Sequence, residues 1–268
     1  MAARIITVAN QKGGVGKTTT VINLAASLAL ADRRVITIDI DPQANLTSGL
    51  GLKGQAGVAG TIYEALTAAT IPDLTQFVLQ TNVTGLSLVP ADRNLTGAEL
   101  EMVSLDRRET RLRSLVQQLV DHYDYIFIDT PPSLGLLTLN GLVAAHTVLI
   151  PLHSEYFALE GLADLVLTLQ RVRAGLNPDL DIEGVLLTMH DGRTNLSQQV
   201  SRDIRDFFQE KVFKTIIPRN VRLGEAPSHG LPVILYDVKS RGAEAYIALA
   251  KEILGRDSIT LRNTEEHI

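Results

Sequence analysis

Six short stretches of this 268-residue chain are apolar and rich in β-branched residues almost without a break, at residues 5–9, 35–39, 86–90, 125–129, 147–151 and 184–189. A strand with one buried face alternates apolar and polar side chains, whereas a strand covered on both faces does not. Unbroken runs of this length therefore predict strands of a mostly parallel sheet with helices on both sides. Stretches with apolar residues at helical spacing separate them, at 17–31, 108–122, 158–174, 196–211 and 242–254. In the third, Leu159, Leu162, Ala163, Val166, Leu169 and Val172 form one stripe, which reads as a core-facing side. Strand–helix alternation at this interval predicts a single doubly wound α/β domain over residues 1–255. Two weaker runs, 215–218 and 232–235, read as further strands. A turn-rich stretch after Ser133 reads as one more helical segment between strands, 61–84 reads as a peripheral insertion, and the polar residues 256–268 read as a frayed, flexible tail.

Composition narrows the class. At 45% hydrophobic and 21% charged residues, with a net charge of −5, the chain can bury a sizeable core and is not disordered. The absence of cysteine excludes disulfides, thiolate metal sites and cysteine-held iron–sulfur clusters. No run of about 18 uncharged apolar residues predicts a membrane span; the greasiest segment, 134–152, is interrupted by Asn140 and His146. The first residues pass directly into a strand-like run without a signal-peptide layout, so a cytoplasmic location is expected. Charge is uneven. Residues 1–192 carry 13 Lys and Arg against 20 Asp and Glu, whereas 193–251 carry 10 against 6, so an acidic protein can present a basic face from its last third.

The most specific local feature is Asn10-Gln11-Lys12-Gly13-Gly14-Val15-Gly16-Lys17-Thr18-Thr19, between a strand run and a helical pattern. A loop in that setting binds phosphate. Its glycines let backbone N–H groups crowd around phosphate oxygens, and the helix that follows adds the partial positive charge of its N-terminus. On this reading Gly13, Gly14, Val15, Gly16, Lys17, Thr18 and Thr19 surround the phosphates. Lys17 reaches the β- and γ-phosphates, and the Thr18 hydroxyl binds Mg²⁺. The common GxxxxGK[ST] spacing is not fully met: Gln11 stands where its first glycine belongs, and an additional lysine, Lys12, follows.

Two further strand ends fit the same site. The run 35–39 continues through Ile40-Asp41-Pro42-Gln43, so it ends in two carboxylates, Asp39 and Asp41, before Pro42 stops it. A carboxylate there can hold a Mg²⁺-bound water or orient an attacking one. The run 125–129 ends in Asp129 followed by Thr130-Pro131-Pro132, which places Asp129 next to the Mg²⁺ shell. Three such segments in this order predict phosphoryl transfer. No Asn-Lys-x-Asp follows a late strand, so guanine specificity is not expected.

The run from Lys12 to Thr18 is similar to the deviant Walker A motif of the ParA/MinD group of P-loop ATPases. Asp39-Ile40-Asp41-Pro42-Gln43-Ala44-Asn45 resembles that group's Walker A′ segment, and Asp129-Thr130-Pro131-Pro132-Ser133 its Walker B. Glu155-Tyr156-Phe157-Ala158-Leu159-Glu160-Gly161 and the stretch from Ile217 to Ser228 resemble later segments of the chromosome-partitioning branch, ParA or Soj. The resemblance spans roughly residues 4–254.

It implies an ATPase that binds ATP with Mg²⁺ and closes as a homodimer around two nucleotides. Lys12 is then a catalytic residue in trans, reaching the partner's phosphates, and Asp41 positions the hydrolytic water. Gly13 stays small so that two backbones can approach, and the adenine contacts the loop of Pro218 and Asn220. Arg193 and Arg222 match positions used to bind DNA, and both lie in the basic segment 193–251. The implied partners are nonspecific double-stranded DNA and a ParB-like centromere-binding protein that stimulates hydrolysis, with a nucleoid-associated, cytoplasmic location. Within the same superfamily the alternatives are a MinD-like membrane-surface regulator, a positioner of other cargo, or a small-molecule ligase. Residues 256–268 hold two arginines and three acids, without the basic amphipathic face that membrane binding needs, so no membrane partner is expected. The first strand run begins near Arg4, which leaves no space for a helix-turn-helix and makes operator-specific repression unexpected.

Overall fold

The computed structural model describes the backbone of residues 3–153, 158–190 and 195–265, and side chains within these except 158–160, 195–196 and 257 onward. The strands are β1 (Arg4–Val8), β2 (Val35–Asp39), β3 (Leu79–Gln80), β4 (Leu86–Val89), β5 (Tyr125–Asp129), β6 (Thr147–His153) and β7 (Asp181–Thr188). Among the described residues they form one sheet in the order β3-β4-β2-β5-β1-β6-β7. All pairings are parallel except β3 with β4. The helices are α1 (Lys17–Ala29), α2 (Asn45–Gly49), α3 (Ile62–Thr67), α4 (Leu95–Glu101), α5 (Arg111–Val116), α6 (Leu136–Ala144), α7 (Ala158–Gly175), α8 (Asn195–Phe208), α9 (Val221–Glu225), α10 (Val233–Tyr236) and α11 (Arg241–Glu265).

The unbroken apolar strands serve two cores, one on each face of the sheet. Ile5, Ile36, Ile38, Ile126 and Ile128 point to one side and pack with α5, α6 and α7. Their neighbours Ile6, Val8, Val35 and Phe127 point to the other and pack with α1 and α11. Successive residues of a strand face opposite sides, so both sides must be apolar here. Helix α1 is buried nearly throughout, because it lies between the sheet and α11, where the Thr20 hydroxyl meets the Tyr246 hydroxyl at 3.2 Å. Each fully buried Leu or Ile in these layers contributes about 1.5–3 kcal/mol before entropy is counted.

The doubly wound, mostly parallel sheet expected from the sequence is present, with five local differences. Residues 232–235 are not a strand: Pro232 has no N–H to give a ladder, and Asn23 Oδ1 takes the Val233 N–H at 2.7 Å, starting the single turn α10. Residues 215–218 form no strand but run beside the end of β7, with one isolated bridge from Pro218 to His190 and the Ile217 N–H donating to Leu187 O at 2.9 Å. The helix expected over 108–122 is broken into a 3₁₀ turn, α5 and a second 3₁₀ turn, after Arg107 at φ +53°. Residues 61–84 supply α3 and the antiparallel edge strand β3. Finally, the segment expected to fray continues α11 as helix to Glu265.

Candidate nucleotide site

The register of the sheet builds the site. Val8 is level with Asp129 across β1 and β5, and Asp39 is level with Asp129 across β2 and β5. The two carboxylates and the loop that leaves β1 therefore share one crevice, at the carboxyl ends of the strands where the winding reverses. In that loop Gly14 and Gly16 have φ of +73° and +87°, a left-handed backbone that glycine adopts without strain. Gly16 leads into α1, and no side chain caps the helix, so its first N–H groups remain available to an anion.

Side chains pin the loop to the sheet. Asn10 is buried; its Nδ2 donates to Pro151 O at 2.7 Å and its Oδ1 accepts the Lys12 N–H at 3.0 Å. Thr188, at the end of β7, donates its hydroxyl to Val15 O at 2.8 Å. Lys17 Nζ donates to Lys12 O at 3.1 Å. Burial lowers the Lys17 pKa, and the charges of Asp129 and Asp41 oppose that shift. Lys12 projects elsewhere: its Cε lies 3.5 Å from the position a Cβ at Gly161 would occupy, along the first turn of α7.

Three carboxylates face this loop. Thr18 Oγ1 donates to Asp129 Oδ2 at 2.7 Å, while Asp129 Oδ1 is buried with no hydrogen-bond partner among the described residues. Burial first, and then the neighbouring Asp39, hold the Asp129 carboxyl well above the usual range. Asp39 Oδ1 accepts the Asp41 N–H at 3.1 Å, and its Oδ2 accepts both the N–H and the hydroxyl of Thr47, at 2.9 and 2.7 Å. Thr47 Oγ1 in turn accepts the Ala91 N–H at 3.0 Å. Burial pushes Asp39 up to about 6, against these hydrogen bonds. Asp41 is buried too, and its Oδ1 accepts the Gln43 N–H at 2.9 Å.

An orphaned carboxylate oxygen beside a hydroxyl and a second carboxylate is an all-oxygen donor set that fits a hard divalent cation. Among the described residues no three Asp, Glu or His side chains form a closed metal cage. That agrees with Mg²⁺, which keeps waters and is held through one or two protein ligands plus substrate phosphates. Beside the loop lies a 290 Å³ cavity lined by Gly16, Thr19, Thr188, Met189, Ile217, Pro218, Asn220, Leu223 and Tyr246. Pro218 and Asn220 line that cavity together with Gly16 and Thr19 of the loop and its helix. Thr188, Met189, Tyr246 and Thr47 carry no local motif and were not foreseen. Arg222 is exposed on α9, two residues beyond Asn220, whereas Arg193 lies outside the described residues, as do Glu155, Tyr156 and Phe157.

A mostly parallel doubly wound sheet with this loop, two lysines and paired strand-end carboxylates defines a P-loop ATPase of the deviant Walker A kind. Residues 3–182 match the family model described as AAA domain. The chain is 56% identical to the chromosome partitioning protein ParA of Myxococcus xanthus, over 95% of this chain and 89% of that one. It is 53% identical to the sporulation initiation inhibitor protein Soj of Bacillus subtilis, over 93% and 98%. It belongs to the ParA/Soj family of chromosome-partitioning ATPases. Among solved structures, cobyrinic acid a,c-diamide synthase from Mycobacterium smegmatis, with bound ADP and magnesium, is similar at 37% identity and a TM-score of 0.80, covering 94% of each chain. The cell division ATPase MinD of Pyrococcus furiosus is similar at 25% identity and 0.79, over 94% and 99%.

Proposed function

We propose that this chain is an ATP-gated partitioning switch, which grips nonspecific double-stranded DNA as an ATP-bound homodimer and lets go after hydrolysis. The observation that carries the nucleotide half is the orphaned Asp129 Oδ1 beside Thr18, with Lys17 held near Asp129 and Asp41. In this reading Thr18, Asp41 and Asp129 would hold Mg²⁺, and the ion would supply charge neutralisation to the phosphates. Lys17 and the N–H groups from Gly13 to Thr19 cradle the phosphates. Pro218 and Asn220 border the adenine.

Asp41 orients the water that attacks the γ-phosphorus; the bond to the bridging oxygen breaks, and that oxygen leaves on ADP. Lys12 adds its charge from the partner subunit. Its position away from Lys17, along Gly161, supports a role outside its own phosphate cradle. DNA contacts come from Arg193 and Arg222, and a ParB-like centromere-binding protein stimulates the hydrolytic step. The two relatives named partitioning or Soj proteins, each matched along nearly the whole chain, support this over the ligase reading that the synthase structure at 37% identity brings to mind.

The test is direct. With ATP, but not ADP, the protein should sediment as a dimer and shift random-sequence duplex DNA. DNA binding by an ADP-bound monomer, or an ATP dimer indifferent to DNA, would overturn the proposal.

A further inference from the structure

Arg222 is not presented bare to solvent. Its Nη1 donates to Glu225 Oε2 at 2.7 Å, one helical turn along α9, and its Nε pairs with Asp237 Oδ2 at 3.2 Å, just past α10. The carboxylates are themselves held. The Tyr236 hydroxyl donates to Glu225 Oε2 at 3.4 Å, and the His229 ring stacks on Tyr236 with centroids 5.0 Å apart. The Asp237 N–H donates to Val233 O at 2.7 Å, which fixes the backbone from which its side chain projects. By contrast, among the described residues the exposed cations Lys239, Arg241 and Lys251 of the same basic segment form no ion pair.

A guanidinium meets phosphate through its planar fork of five donors. Here one of the five, at Nη1, is already committed to Glu225, and the Asp237 carboxylate stands against Nε as an ion pair. We propose that Glu225 and Asp237 set the DNA affinity of this chain by bracketing Arg222, so that a backbone phosphate must displace two carboxylates to reach it. The inference rests on the reading of Arg222 as a DNA contact. Two physical effects add: Glu225 competes for a donor and Asp237 neutralises the guanidinium beside it, and both carboxylates repel an approaching phosphate within about one Debye length, 8–10 Å at moderate salt. A grip weakened in this way is released quickly, which suits a protein whose DNA contact has to be reversible.

An exposed pair holds its arginine by only about a factor of two to five. Each subunit of a dimer carries the bracket, so neutralising it should tighten DNA binding by roughly fivefold to twentyfold at low salt. Fluorescence anisotropy on a random-sequence duplex with ATP and Mg²⁺, across a salt series, would compare the parent with Glu225→Gln/Asp237→Asn, Arg222→Ala and the triple variant. The double variant should bind tighter, with a gain that shrinks as salt rises. In the Arg222→Ala background the gain should shrink to the small part that charge repulsion alone supplies, because the pairing acts through that side chain. An equal gain without Arg222 would reduce the effect to added net charge and overturn the proposal, as would parent-like affinity in the double variant. Parent-like affinity in Arg222→Ala would instead remove Arg222 from the DNA face, and the bracket with it. Sedimentation with ATP checks that each variant assembles. Should the double variant fail that check, Glu225→Gln alone is expected to give about half the gain on a logarithmic scale, and no gain there overturns the idea.

Discussion

Lys12 and Lys17 belong to one loop yet occupy different surroundings, and their alanine variants should part accordingly. Lys17 is buried and feels the charges of Asp129 and Asp41. Lys17→Ala removes the cation placed against the phosphates and should cost at least about a hundredfold in ATP affinity by calorimetry, on the order of two charge-assisted hydrogen bonds. Lys12→Ala, whose side chain runs along Gly161, should leave monomer affinity within about twofold while abolishing the ATP dimer in sedimentation. Asp39 offers a separate test through pH. Its carboxyl is raised from 3.8 to about 6 in the folded protein, so the neutral form is the one folding favours. The contribution is therefore complete below about pH 4 and is lost as pH rises through about 6, on the order of 2–3 kcal/mol over the window. Denaturant unfolding of the nucleotide-free protein at pH 4 and pH 7 should show the parent losing stability relative to Asp39→Asn by that order as pH rises. A difference independent of pH would count against the shift. Lys17, Thr18, Asp41 and Asp129 were legible because each sits in a local motif at a strand end. The anchors were not: Thr188 lies 173 residues from the Val15 carbonyl it holds, and no local pattern encodes such a bond.

At the scale of elements, α2 depends on a missing side chain. A Cβ at Gly49 would stand 2.5 Å from Ile22 Cδ1 on α1, so Gly49→Ala forces the buried Ile22 side chain out of its packed position. We expect a loss of about 1–3 kcal/mol from overpacking, read from the denaturant midpoint, with Ile22→Val restoring part of it by deleting the clashing methyl. Failure of Ile22→Val to help would place the strain elsewhere. The layers themselves could be read from the continuous apolar strands. Helix α6 could be read only as a helical stretch without bounds, because Leu136–Ala144 is buried on most sides, Thr138 and Asn140 included, and gives no clear helical stripe. Helix α10 was mistaken for a strand because Val233, Ile234 and Leu235 share the vocabulary of strands. The deciding contact, Asn23 with the Val233 N–H, is 210 residues away in sequence.

For the whole molecule, assembly and chemistry should be separable. Asp41→Ala leaves the phosphate cradle of Gly13 to Thr18 in place and removes the group assigned to the attacking water. It should therefore accumulate as an ATP dimer on DNA, with turnover slowed by about a hundredfold or more. Parent-like hydrolysis, or no dimer, would contradict the assignment. The base cavity bears on how such a cycle is transmitted. One of its walls, Thr188 and Met189, is the last piece of chain before the segment of Arg193; the other, Pro218 and Asn220, leads within two residues to Arg222. His190 N–H donates to Ile217 O at 3.1 Å and ties the walls together. A molecule wired this way needs no lever arm or distant relay. The residues that border the nucleotide cavity and those assigned to hold DNA are separated by four residues of chain on one wall, Met189 to Arg193, and by two on the other, Asn220 to Arg222.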